Sequence, residues 1–415
     1  MKGLCNKLIY AAVLFAVLPG VSPLWAQEEE KIICPGAEDA DAQTQYSRGW
    51  IYFNGTVVAR DDAAAVMCWL AAATQGHAEA QYSAGVSYDT GVGIEKNDVL
   101  AAAWWLKAAE QGLALAQYNI AVAYTHGKGV EQDDAVAAIW YEKAAEQGVA
   151  KAQYNLGAMY SNGIGVEKND AEAIKWWRKA AEQKNADAEY HLGVMYDRGT
   201  GVEKDVVEAA SWYRKAAERG QPEAQYDLGV SYHNGTGVER SDAEAVKWYI
   251  KAAGQGVAKA QYNLALSYAY GLGTAKNDAK AFKWMRRAAG NGLTKAQYRL
   301  GLAHEHGWGT KKNPRKATVW YREASERGDP DARLSLGLAY LKGLADRKNL
   351  VMAYTWFNLA VDKGNREAVA RRNAVEKLMT RKQIMEAQTL SRLGKTNEAL
   401  SGRVSFNTPD TQKAS

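Results

Sequence analysis

The chain has 415 residues, enough for two or three ordinary domains or for one long repeat array. Hydrophobic residues at 47% and charged residues at 24% exclude a wholly disordered protein. Lys and Arg exceed Asp and Glu by only 52 to 47, which excludes a strongly basic nucleic-acid binder as the default, so no nucleic-acid partner is expected. One feature is out of line: 14 Trp and 23 Tyr stand against 5 Phe, a bias that a need for bulk alone does not explain.

The N-terminus reads as an export signal. Lys2 and Lys7 open it, Leu8 to Leu18 is an apolar run, Pro19-Gly20 breaks the run, and Leu24-Trp25-Ala26 precedes the acidic Gln27 to Glu30. This is the layout of a secretory signal peptide over 1–26, cleaved after Ala26. The run is too short to span a bilayer comfortably, and no later segment is long and apolar enough to do so. The mature chain is therefore expected in the periplasm or secreted, with no membrane insertion. It keeps two cysteines, Cys34 and Cys68, which in an oxidising compartment are most simply one disulfide. A reactive thiol or a metal pair is the alternative, and the spacing of the two matches no metal motif.

After an acidic segment over 27–40, a 36-residue period begins. Tyr46, Tyr82, Tyr118, Tyr154, Tyr190, Tyr226, Tyr262 and Tyr298 are evenly spaced, with Leu334 in the ninth place. Three residues after each comes Gly or Ala, and three further on a Tyr, or His304 in the eighth copy. This spacing predicts an amphipathic helix whose small central residue admits a close neighbour. Glycine ends that helix in all nine copies, Gly55 through Gly343, as a left-handed terminus requires. A second helix follows from the N-caps Asp61, Asn97, Asp133, Asn169, Asp205, Ser241, Asn277, Asn313 and Asn349. Glu172, Glu208 and Glu244 are placed to complete capping boxes. Aromatic steps such as Trp104-Trp105 and Trp176-Trp177 come next, and each large ring is expected to fill space left by Ala and Gly of neighbouring copies. Eleven of the 14 Trp fall at this step, which accounts for the compositional bias; Trp50 and Trp308 do not.

The array covers 41–364. Residues 365–394 read as capping helices, the second opened by the T-x-x-Q box at Thr380 to Gln383. Residues 395–415 are polar and aperiodic and read as disordered. Cys34 could staple the N-terminal segment over the first copy through Cys68.

Copies such as Ala152 to Tyr160, Gly163 to Asn169 and Ala171 to Glu182 resemble the Sel-one-like repeat, a cousin of the tetratricopeptide repeat with a longer, Gly-rich turn. The resemblance covers about four-fifths of the chain. It implies an all-α, right-handed solenoid of nine helix-turn-helix repeats, a protein-protein interaction role, and often an adaptor function in exported bacterial proteins. The first copy departs at Val57 and Cys68, and the ninth at Leu334 and Ala345, so both ends read as caps.

No catalytic constellation emerges. There is no S-x-x-K, G-x-S-x-G, H-E-x-x-H, C-x-x-C or phosphate loop. The Gly-x-Gly turns recur after helix ends and read as structural. His304-Glu305-His306 is the one histidine cluster, but residues two apart on a helix diverge, so no metal site is expected there. No cofactor is expected, and no enzyme activity. A hydrolase or binding protein acting on cell-wall material or a β-lactam, suggested for cysteine-rich relatives, is the competing reading, and this chain lacks their cysteine pairs.

In helix-pair solenoids the first helices line the concave face. The residue after each repeated Tyr is polar throughout: Asn119, Asn155, His191, Asp227, Asn263 and Arg299 in the central copies. Helical spacing adds Met159, Met195, Arg198, Tyr270 and His306, and the off-register Trp308 adds an exposed aromatic. Tetratricopeptide proteins often use Asn at this first position to hold a peptide backbone, and Asn119, Asn155 and Asn263 match it. These residues are the expected groove for a protein or peptide partner on a monomeric chain.

Overall fold

A computed structural model describes residues 33–345 and 347–394. The expected signal peptide over 1–26, residues 27–32 and the tail expected over 395–415 lie outside the described residues. Within them the chain forms twenty helices and no strand. Eighteen of these are nine consecutive pairs, and the last two follow as Arg366–Glu376 and Arg381–Gly394. The chain divides into two compact units, one ending at Ala188 and the other beginning at Glu189.

The fourth repeat shows how the sequence builds a pair. Its first helix, Ala150–Asn162, ends at Gly163 with φ 68°, whose N–H bonds the Met159 carbonyl. The second, Asp170–Glu182, starts at Asn169, whose side chain accepts from Ala171 and Glu172 N–H. Nine such N-caps bond the first turn of their helices, at positions 61 through 349. The expected capping boxes at Glu172, Glu208 and Glu244 do not close. The N-cap amide that each Glu would have served already donates to the carbonyl of the last Tyr of the first helix, as in Asn169 to Tyr160 at 2.9 Å, Asp205 to Tyr196 at 3.0 Å and Ser241 to Tyr232 at 2.9 Å. Glu172 and Glu244 turn outward instead, to Lys175 and Lys247. Where no preceding helix supplies a carbonyl the box does form: Thr380 N–H donates to Gln383 Oε1 at 2.9 Å, and Gln383 N–H to Thr380 Oγ1 at 3.4 Å.

The two aromatics of the second helix do different jobs, because adjacent helical residues point about 100° apart. The second ring lies on the small residue of its own first helix. A Cβ added at Gly85, Gly157 or Gly229 would come within 2.5–2.7 Å of Trp105, Trp177 or Tyr249. The first ring joins the core cluster of the preceding repeat: Trp104 with Ala65 and Trp69, Trp248 with Ala209 and Tyr213, Trp284 with Ala245 and Tyr249. The expectation that large rings fill a neighbour's gaps holds for the first aromatic and fails for the second. A basic residue one turn on covers the outer ring, as Lys143 does over Trp140 at 4.0 Å and Lys215 over Trp212 at 3.6 Å.

The turns are also part of the joint between repeats. The second turn glycine sits on the start of the preceding second helix. A Cβ on Gly129 would lie 1.9 Å from the Asp98 carbonyl oxygen, and one on Gly237 1.9 Å from that of Val206. These turns face carbonyl oxygens at contact distance, which leaves no room for an anion there.

A buried amide ladder completes the joint, and sequence reading passed it over. The residue before each repeated Tyr is buried, a Gln in seven copies and Glu189 in the fifth. In the third repeat, Gln117 donates to the Ala109 carbonyl of the second repeat at 3.2 Å and accepts from Gln147 at 2.7 Å. Gln147 also donates to the Gly112 carbonyl at 2.9 Å. Gln45, Gln81 and Gln153 pair in the same way with Gln75, Gln111 and Gln183. Satisfying a buried amide on both ends keeps it from costing the 1–3 kcal/mol or so of an orphaned group.

At the N-terminal end Cys34 and Cys68 form a disulfide, and both are fully buried. It lays residues 33–40 over the first repeat, where Gln45 donates to the Ala37 carbonyl at 3.1 Å and Tyr52 to that of Pro35 at 3.3 Å. Trp50 meets Trp69 edge-on at 5.2 Å, closing the same end. At the other end the last two helices pack on Leu350–Val361 through Val375 and Ala387, and Thr355 donates to the Ala387 carbonyl at 3.3 Å.

Candidate protein-interaction face

The repeated Tyr and the polar residue after it define one line along the first helices of each unit. Each such Tyr is half-buried, and the hydroxyls of Tyr82, Tyr118, Tyr190, Tyr226 and Tyr298 face the polar side chain of the next repeat. Tyr82 faces Asn119, Tyr118 faces Asn155, and Tyr226 faces Asn263; burial pushes each phenol up, and the amide opposite draws it part of the way back. In the fifth and sixth repeats the contact is a direct hydrogen bond, Tyr190 to Asp227 at 3.1 Å. The face is thus a ladder of phenols and amides that the packing holds in place. An Asn has two donors and an acceptor with two lone pairs, so Asn155 facing Tyr118 and Tyr141, and Asn263 facing Tyr226 and Tyr249, still have capacity open.

The expected groove residues do not share one environment. Asn119, Asn155, His191, Asp227 and Asn263 are half-buried on the line, and Arg299 is exposed. Met159 and Met195 are 7% and 5% exposed and belong to the core, so they do not present the adaptable apolar surface that the spacing suggested. The reason is the adjacent repeat: the position four residues after the polar row falls at the joint between helices. Arg198, Tyr270 and His306 occupy the last turn of their helices and are exposed, Tyr270 at 62%. Trp308 is 53% exposed and stacks on His306 at 4.7 Å. His304 is buried, meets Phe282 edge-on at 5.3 Å, and has its pKa pushed down by burial. It fills the place of a Tyr and does not join His306. Among the described residues no three His, Cys, Asp or Glu side chains converge as a metal site would require, and no helix is long and apolar enough to cross a membrane.

Helix pairs with Gly-ended first helices, joined by a 36-residue register, define a tetratricopeptide-like α-solenoid protein. The chain belongs to the Sel1 repeat family, which matches residues 40–77, 78–113, 114–149, 150–185, 186–221, 222–257, 258–293, 294–329 and 330–365. A solved structure of a protective antigen present in uropathogenic Escherichia coli strains, displaying an SLR fold, is similar at 33% identity and TM-score 0.56, over 90% of this chain and 89% of the other. A Sel1 repeat protein from Oxalobacter formigenes is similar at 38% identity and TM-score 0.53, over 59% of this chain and 96% of the other. No curated protein matches the chain. Repeats of this kind generally mediate protein-protein interaction.

Proposed function

We propose that the chain is an exported, non-catalytic scaffold that binds a peptide or protein partner along the first-helix face of its repeats. The observation that carries this reading is the line of half-buried Asn119, Asn155 and Asn263, each set opposite a tyrosine hydroxyl with hydrogen-bonding capacity to spare. Amides fixed in this way are suited to an extended backbone, which offers an N–H and a C=O at each residue. The buried Cys34–Cys68 disulfide fits an oxidising compartment, as the signal-like 1–26 segment would require.

The test is affinity capture from envelope extract with wild-type chain and with Asn155→Arg/Asn263→Arg. The variant should lose the partners that wild type retains, at an unchanged melting temperature. Equal recovery by both proteins would remove the first-helix face from consideration.

A further inference from the structure

A cavity of about 320 Å³ opens in the second unit between the first helices of the fifth and sixth repeats. Its polar lining comes from Tyr190, Asp197, Arg198, Tyr213 and Asp227, and Val194 and Val230 supply apolar wall. Three features set it apart from the same place in other repeats. Where Asn119, Asn155 and Asn263 face a tyrosine, the residue here is a carboxylate, although an amide meets the structural need elsewhere. A second carboxylate, Asp197, adds with Glu223 to the cost that burial already sets on ionising Asp227, while the Tyr190 hydroxyl and Lys259 act the other way. Third, Tyr213 is only 5% exposed, yet its hydroxyl has no hydrogen-bond partner among the described residues. The equivalent Tyr141 and Tyr321 are engaged by Thr125 and Glu305, and the equivalent Tyr249 hydroxyl is likewise unpaired but fully enclosed. A hydroxyl that opens onto a cavity without a protein partner is free to take one from a ligand.

We propose that this cavity receives the cationic end of a partner's side chain, a lysine ammonium or an arginine guanidinium, between the Asp227 and Asp197 carboxylates and the Tyr190 and Tyr213 rings. This rests on the first-helix face being the binding surface and names what one position on it selects. A cation gains from both carboxylates, donates to the open Tyr213 oxygen, and lies against aromatic faces. The apolar wall accommodates the aliphatic stem. Arg198 stands on the same cavity, is exposed, and forms no ion pair among the described residues. Its charge opposes the incoming cation, so it sets an affinity ceiling that a substitution can lift.

The experiment titrates Nα-acetyl-lysine methylamide, its arginine counterpart, and the norleucine and glutamate counterparts into the full chain, followed by ligand-observed NMR. A lysine or arginine probe should bind and the norleucine and glutamate probes should not. Asp227→Asn should weaken the cation about tenfold, and Arg198→Gln should tighten it about threefold, with both variants melting no lower than wild type. Binding of lysine over arginine, or the reverse, identifies the source of the cation. No binding by either cation, equal binding to Asp227→Asn, or preference for the glutamate probe overturns the proposal. Those results leave the first-helix face untouched, since that is tested by partner capture with the Asn155 and Asn263 variants.

Discussion

The two compact units are built to one backbone plan and differ in what fills it. Residues 33–188 carry 20 Asp and Glu against 12 Lys and Arg, whereas residues 189–394 carry 22 against 34. The near-neutral total thus conceals an acidic first unit and a basic second one, with twelve Lys and Arg against two Asp and Glu over 271–322 alone. The buried amide ladder divides in the same way. In the first unit all four rungs are Gln to Gln. In the second, Gln225 and Gln255 keep that pair, but one rung is Glu189 to Arg219 at 2.9 Å, one is Gln261 to Asn291, and Gln297 Oε1 is left without a partner where Arg327 stands opposite. The first unit repeats the frame, and the second varies the groups that the frame holds. Individual character concentrates in the second unit, and the cation-suited cavity lies there too.

Several changes separate frame from filling. Removing the disulfide by Cys34→Ser/Cys68→Ser should cost about 3 kcal/mol in urea unfolding; an unchanged midpoint would show that the bridge is not part of the frame. Gly129→Ala and Gly237→Ala impose the same 1.9 Å backbone collision and the same positive φ, one in each unit. Each should cost about 3 kcal/mol, and unequal costs would show that the joints are not equivalent. Arg219→Gln leaves Glu189, 2% exposed, as an uncompensated buried charge. Because Arg219 itself is partly exposed, the expected loss is about 2 kcal/mol. The double change Glu189→Gln/Arg219→Gln rebuilds the first unit's rung and should return to within about 0.5 kcal/mol of wild type.

The smallest effect is the pH dependence of Asp227. Burial raises its carboxyl above the ordinary 3.8. Ionising it therefore opposes folding: its contribution is fully favourable below the unfolded value and is lost as pH rises through the higher folded one. Asp227→Asn should raise the melting temperature at pH 7 and leave it unchanged near pH 3. An equal rise at both values would show that the charge is not the cause.

The frame was legible from sequence because its requirements are local. A left-handed helix end needs Gly, a helix start needs a side-chain acceptor, and both recur in register. The Cys34–Cys68 bridge was legible by count. Non-local features were not. The capping boxes failed because a backbone carbonyl from the preceding helix reached the N-cap amide first, and no side-chain pattern reveals that. The glycine beneath each second aromatic was assigned to a neighbouring repeat because period alone does not say which copy a ring meets. Met159 and Met195 looked like surface residues until the adjoining helix buried them. The Gln ladder left a usable signal, a polar residue fixed before every Tyr, and the Glu189–Arg219 exchange marked both partners at once. The cavity left none, since Asp227 counts in a sequence as one more polar residue in a polar row.

The bond from each N-cap amide to the preceding Tyr carbonyl has a consequence for how such a chain changes in length. It closes a helix pair with atoms of that pair alone, from Asp61 to Tyr52 through Asn349 to Tyr340. Within a unit, the contacts that cross a joint fall at the same offsets in successive copies, as Gln81 to Ala73 and Gln117 to Ala109 do. Excising 36 residues therefore brings together ends that already know how to meet. The heritable word in this protein is the whole repeat, and copy number becomes a dial that recombination can turn without rewriting a single joint.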